Sequence, residues 1–314
     1  MHAVTITDGA VAWLEQPDPV PGPGDLLVRV RAAGICRGDL MQMAGYYPPP
    51  AGTAPPELPG LELAGEVVTV GDACRRFRPG DRVMAVVPGA GQASLAAVPE
   101  IVAMPVPDGV GWAHAGGFPE NYTTAHDALF TQCELRMGER VCIHGAAGGV
   151  GSAAVELAAA AGCEVVATVR DRSLWASVQA LGATVVPPDD FGPAGPFDVI
   201  LELVGAPNMA TNLASLATNG RIAIIGVGAG ATAEVNLLAL MAARGRIHGS
   251  TLRARPLEDK ARAARHVEKQ VLPLLGWGDI TVPLAAKFPF ANVGAAYERF
   301  DRGAKFGKIV LVDE

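Results

Sequence analysis

Arg140-Val141-Cys142-Ile143-His144-Gly145-Ala146-Ala147-Gly148-Gly149-Val150-Gly151 is an apolar strand that runs into a glycine-rich turn, and an alanine-rich helical stretch follows at once. This order of elements is how a chain grips a pyrophosphate. Backbone N–H groups at the helix start point at the anion, and the helix dipole favours its charge. Glycines at 148, 149 and 151 remove the Cβ atoms that would block a close approach. Glycines also mark ordinary turns, so the reading rests on context: a strand before, a helix after and further strand and helix units downstream.

Working outward, residues beyond about 118 alternate apolar strands with helical stretches: Val141–Ile143, Val165–Val169, Val185–Val186, Val199–Val204, Ile222–Ile225 and Ile247–Ser250. That alternation predicts a doubly wound parallel sheet. The residues before it are rich in Gly and Pro, with short strand-like runs such as Leu26–Val30 and Arg82–Val87, which is an all-β pattern. After Pro256 a charged helical segment, Leu257 to Leu275, precedes strand-like Thr281–Pro289 and Lys308–Val312, expected to rejoin the N-terminal part. Two lobes with a cleft between them are the expectation for 314 residues, half of them hydrophobic.

A net charge of −7 without a basic cluster argues against nucleic acid. No apolar run is long and charge-free enough to span a bilayer, and the N-terminus opens on strand-like Met1–Ile6 rather than a basic leader, so a cytoplasmic protein without a membrane partner is expected. Five cysteines, odd in number, widely spaced and without a CxxC pair, do not form a disulfide framework. His114, His126 and His144 show no ligand spacing and read as structural.

Several short segments in order carry a resemblance: Gly38-Asp39-Leu40-Met41-Gln42, Leu58-Pro59-Gly60-Leu61-Glu62, Phe77-Arg78-Pro79-Gly80-Asp81-Arg82-Val83, Ala146–Gly151, Phe118–Ala125 and Gly307–Leu311. Together they resemble the medium-chain dehydrogenase/reductase superfamily over essentially the whole chain. Within it they look like the zinc-independent quinone oxidoreductases, in particular a subgroup with a Tyr before a Pro run, here Tyr47-Pro48-Pro49-Pro50. The resemblance implies an α/β protein with a GroES-like β-rich catalytic domain, residues 1–118 and 255–314. A Rossmann doubly wound parallel-sheet cofactor domain would occupy 119–254.

Zinc-dependent relatives use a Cys, a His and a later Cys. Here Cys36 keeps the first place, Leu61 fills the His position and Glu120 the third. A catalytic zinc needs three protein ligands, which Leu61 denies it, so no metal is expected. A thiolate–carboxylate set of Cys36, Glu62 and Glu120 is the remaining alternative. Most zinc-free relatives place Asn where Cys36 stands. Cys36 is therefore a catalytic candidate, beside the plainer reading of a half-buried cleft-wall residue without a neighbouring His or Lys to activate it.

NAD specificity asks for an acidic residue at the end of the second nucleotide-fold strand. That position is Val169, followed by Arg170, Asp171 and Arg172, and two guanidinium groups suit a 2′-phosphate. NADPH is the expected cofactor. Asp171 reaching a ribose, or two arginines simply solvated, remain the alternatives. Without a metal, the acceptor must spread the developing charge itself, which points to quinones or enones. By its match to the family, Tyr47 is the candidate for substrate contact or proton relay. The resemblance also implies Thr124, Ala147, Gly148, Gly149, Val150, Gly226, Val227, Gly228, Ser250, Thr251, Leu252, Phe306, Gly307 and Lys308 around the cofactor, with Arg253 and Arg255 at its phosphates or merely solvated. It implies a homodimer through the sixth strand, Arg246–Ser250. The other readings are a specialised enoyl reductase of a biosynthetic pathway and a non-catalytic NADPH-binding protein.

Overall fold

A computed structural model describes residues 1–313. The chain forms two compact units. The first comprises Met1–Thr123, Leu252–Gly303 and residues 307–313; the second comprises Thr124–Thr251 and Ala304–Phe306.

In the first unit a hairpin joins β1 (His2–Thr7) and β2 (Ala10–Glu15) through Asp8 and Gly9, both at positive φ. The main sheet is built on β3 (Asp25–Ile35), whose Leu26, Val28 and Val30 are buried while Arg29 between them is exposed, the period-two pattern of a strand covered on one face. β4 (Glu62–Val70), β5 (Arg82–Val86), β6 (Leu95–Pro99) and β7 (Met104–Pro105) complete its N-terminal part.

The second unit holds β8 (Arg140–Ile143), β9 (Glu164–Thr168), β10 (Ala183–Val186), β11 (Phe197–Glu202), β12 (Leu216–Ile224) and β13 (Arg246–Gly249). Their order is β10-β9-β8-β11-β12-β13 and every pairing is parallel. The direction of winding reverses between β8 and β11, so the carboxyl ends of these two strands mark the switch point where open α/β sheets bind ligands. Cys142, Val166, Phe197, Ile200 and Ile222 form the centre of its apolar core.

The chain then returns to the first unit as β14 (Leu284–Pro289) and β15 (Lys308–Val312), giving the order β14-β15-β3-β4-β5-β7 with β6 also on β3. The α/β architecture with a doubly wound parallel sheet expected from the sequence is present. Two details differ. The charged helical segment is two helices, Leu257–Gln270 and Leu272–Trp277, because Pro273 at the start of the second has no N–H to continue the first. The strand before Pro289 begins at Leu284, since Val282 is at φ 53°.

Candidate functional site

In the second unit, β8 ends at Ile143 and the turn closes when Gly148 N–H donates to Gly145 O (3.0 Å). Gly145 is at φ 62°, and Gly148 in extended conformation starts the helix Gly149–Ala160, whose first turn has no side-chain cap. Its leading N–H groups thus face outward, as anion binding requires. The packing beneath demands glycine at 151: a Cβ there would lie 2.5 Å from Gly145 O and 2.7 Å from the Ala146 Cα. This turn is a cradle in which a pyrophosphate fits.

The cradle is braced from below by a buried polar chain. Glu202 Oε1 accepts from the N–H groups of Val204 (2.7 Å) and Gly205 (2.8 Å), and Oε2 accepts from Asn212 Nδ2 (2.8 Å). With its amide donating to the carboxylate, Asn212 turns Oδ1 toward His144 Nε2 (2.8 Å), and His144 Nδ1 meets Thr168 Oγ1 at 3.1 Å. His144, Glu202 and Asn212 are fully buried. Burial holds the His144 imidazole below its ordinary pKa against the opposing pull of Glu202 and Asn212, which favours the neutral ring. Thr168 O in turn accepts from Ala146 N–H (3.2 Å), which ties the chain to the glycine turn.

The carboxyl ends of the parallel strands collect most of the expected cofactor residues: Ala147 to Val150 after β8, Arg170 and Arg172 after β9, Gly226, Val227 and Gly228 after β12, Ser250 and Thr251 after β13. Thr124 is buried on the helix Pro119–His126 and Phe306 also belongs to this unit. Ser250 N–H donates to Ile224 O (3.2 Å) and its hydroxyl to Asp127 Oδ2 (3.3 Å). Arg170 and Arg172 are exposed, with Arg172 stacked on Trp175. Asp171 Oδ1 accepts from Ser173 N–H (3.0 Å) and Ser173 Oγ (2.6 Å).

Leu252, Gly307 and Lys308 lie in the first unit with Cys36 and Tyr47. Lys308, expected at the cofactor, is bonded within the first unit. It is 2% exposed, and Nζ lies 2.5 Å from Glu62 Oε1, 3.4 Å from Asn121 Oδ1 and 4.0 Å from Glu120 Oε2. Glu62 Oε2 accepts from Glu120 N–H (2.8 Å). Burial pushes the Glu62 carboxyl up to about 7 even beside this ammonium. The burial cost to Lys308 is outweighed by Glu62 and Glu120, which hold it above its ordinary value.

Cys36 precedes the helix Arg37–Met43 and is 8% exposed rather than half-buried. Burial, then the nearby Asp39 and Glu120 carboxylates, push its thiol well above the usual range, outweighing the opposing pull of Lys308, so it is a poor nucleophile. Asp39, fully buried, accepts from Cys36 N–H (2.8 Å), Gly60 N–H (2.9 Å) and Gln92 Nε2 (3.3 Å); burial raises its carboxyl and these backbone N–H groups partly offset that. Gly60 sits at φ 108° with no room for a Cβ against the Gly91–Gln92 backbone. Gln92 Oε1 also accepts from Tyr297 OH (2.8 Å). Glu62 and Asp39 lie within the quoted motifs, but nothing in the sequence announces Gln92 as the partner of Asp39, Tyr297 as that of Gln92, or Asn212 as that of Glu202 and His144.

Tyr47 is half-buried, with its ring over Gly38 and 4.9 Å from the Arg253 guanidinium carbon. Neither expectation for Arg253, at the cofactor phosphates or solvated, holds. It is 4% exposed and bonded inward to Pro88 O, Tyr47 O and Gln42 Oε1. In the alternative metal set of Cys36, Glu62 and Glu120, the Lys308 ammonium faces both carboxylates. Among the described residues no group of three or more His, Cys, Asp and Glu side chains is arranged to hold a metal ion. Leu61, buried against Gly38, offers no donor. These residues do not fit zinc.

Residues 22–134 match the model of the alcohol dehydrogenase GroES-like domain, and residues 149–269 that of the zinc-binding dehydrogenase. The chain is 28% identical over 313 residues to the quinone oxidoreductase of Mus musculus, covering 94% of this chain and 91% of that protein. It is 44% identical over 167 residues to erythronolide synthase EryA2 of Saccharopolyspora erythraea, covering 51% of this chain but only 4% of that much longer protein. A mycobacterial protein whose structure was determined complexed with NADPH superposes with a TM-score of 0.88 over the full length of both chains, at 24% identity. With two consecutive family domains, a GroES-like and Rossmann-type fold and a full-length relative in agreement, this chain belongs to the medium-chain dehydrogenase/reductase superfamily of oxidoreductases.

Proposed function

We propose that the chain is an NADPH-dependent reductase that delivers hydride to quinones or other conjugated carbonyls without a metal. The observation that carries this reading is the group of buried Leu61, Glu62 and Lys308 with half-buried Glu120. It holds its own cation and leaves no donor set for a Lewis acid. A simple ketone needs such an acid to stabilise an alkoxide at the reacting carbon, whereas a quinone or enone carries the charge to a remote oxygen that hydrogen-bond donors can hold.

NADPH, when bound, supplies the hydride. The turn Ala147–Gly151 receives its pyrophosphate, and Arg170 and Arg172 receive the 2′-phosphate. Gly226 to Gly228, Ser250 and Thr124 line its path. Tyr47 contacts the acceptor and, with solvent water, provides the proton that completes the reduction. A second reading, reduction of an enoyl intermediate in biosynthesis, is supported by the 44% identity to erythronolide synthase.

The protein acts in the cytoplasm, where its five cysteines stay free thiols. No helix of the described residues is long and apolar enough to cross a membrane. Two copies pair along β13, an edge strand flanked by exposed Leu237, Leu238 and Met241.

The test is NADPH consumption with a para-quinone, an ortho-quinone, a linear enone and a saturated ketone. Turnover of the conjugated acceptors alone supports the proposal; turnover of the saturated ketone overturns it. Preference for the enone over both quinones favours the second reading.

A further inference from the structure

Between Gly45 and Leu61 the chain has no strand or helix, and it carries Pro48, Pro49, Pro50, Pro55, Pro56 and Pro59. Prolines remove N–H donors, so this loop cannot be held by a backbone ladder, and its carbonyls need donors from elsewhere. Backbone N–H groups of Ile6 and Ala90 reach Glu57 O (2.8 Å) and Leu58 O (2.9 Å) at the end of the far limb, and two side chains supply the donors that tie the limbs to each other. Gln42 Nε2 donates to Pro56 O (2.8 Å) on the far limb, and Arg253 NH1 donates to Tyr47 O on the near limb. The two donors are themselves joined, because Arg253 NH2 donates to Gln42 Oε1 (2.5 Å). The third arm, Arg253 Nε, donates to Pro88 O (2.8 Å), just beyond β5, which anchors the fork to the sheet.

We propose that Arg253 is a positioning residue for the acceptor: it latches both limbs of the loop 46–58 and so fixes Tyr47, making the latch a determinant of acceptor specificity. The inference rests on the reading of Tyr47 as the acceptor contact. The geometry singles out arginine for this task. A planar guanidinium reaches three acceptors in three directions and stacks on an aromatic face, whereas an ammonium on a flexible stem does not hold all four contacts at once. Arg253 is also the second residue after the chain re-enters the first unit, so the latch lies 206 residues from Tyr47 in sequence while bonded to it in space.

The experiment compares Arg253→Lys with the parent protein in three measurements: amide exchange of residues 46–58, the dissociation constant for NADPH, and KM and kcat for a para-benzoquinone and a bulkier ortho-quinone. The expected result is exchange of these amides faster by about tenfold, acceptor KM raised by about five- to tenfold and unequally for the two quinones, and NADPH affinity unchanged. In a Tyr47→Phe background the substitution should add little further to KM, since both changes act through one side chain. Loss of NADPH affinity in parallel with KM overturns the proposal, as does unchanged loop exchange. Faster exchange with unchanged KM overturns the specificity claim, and a silent Tyr47→Phe variant then traces the failure to the reading of Tyr47 rather than to the latch. Gln42→Ala, which removes one arm only, repeats the same comparison should Arg253→Lys not fold.

Discussion

Lys308 Nζ lies 2.5 Å from Glu62 Oε1, with the two side chains 3% and 0% exposed. A buried pair of this kind is far more sensitive to losing one member than both, because the remaining charge is left unanswered. Lys308→Met should therefore lower the unfolding free energy by about 3 kcal/mol or more. Lys308→Met with Glu62→Gln should recover at least about half of that loss. Chemical denaturation of the parent and both variants reads this directly, and equal losses for single and double variants would count against the pair.

The glycine turn makes a steric prediction. Gly151→Ala brings a Cβ against Gly145 O and the Ala146 Cα, so the turn must open. NADPH affinity should fall by about tenfold or more. Gly294→Ala, where the added carbon meets nothing within 4 Å, should leave affinity unchanged. Fluorescence titration of both variants decides.

Cofactor choice is placed on exposed arginines. Arg170→Ala and Arg172→Ala should each raise the KM for NADPH by about tenfold and change that for NADH little. Equal effects on both cofactors would mean that these side chains do not meet a 2′-phosphate.

The neutral His144 predicts an acid sensitivity. Its folded pKa lies below the ordinary 6.5, so it contributes stability above pH 6.5, lost as pH falls below that value while the unfolded chain takes up a proton. Glu62 works in the opposite sense, taking a proton in the folded state between about 7 and 4.5, so a variant comparison is needed to isolate His144. His144→Gln should be less stable than the parent by about 1–2 kcal/mol at pH 8. That gap should narrow steadily from pH 6.5 to 5.5, as measured by denaturation across pH.

Much of the second unit was legible because its signals are local: strand, glycine turn and helix follow one another within Arg140–Ala160, and each parallel strand is a short apolar run. The first unit's strands were legible for the same reason, through alternation in segments such as Leu26–Val30. Its polar interior was not. Arg253 meets Tyr47 across 206 residues, Gln92 meets Tyr297 across 205, and the direction in which Lys308 points depends on where β15 settles against β3. Residues of these types on a surface loop would read identically in sequence. Only the fold decides that Arg253 and Lys308 turn inward, and that Cys36 is buried beside the Asp39 and Glu120 carboxylates, so that burial and then these charges raise its thiol pKa.

The most direct test of the account follows deuterium. Chelator-treated protein is supplied with NADPH deuterated at the transferring carbon and a linear enone, and the product is examined by mass spectrometry. The account predicts full activity after chelation and one deuterium on the β-carbon of the saturated product. Activity lost on chelation and restored by zinc, or a product without deuterium, would contradict it.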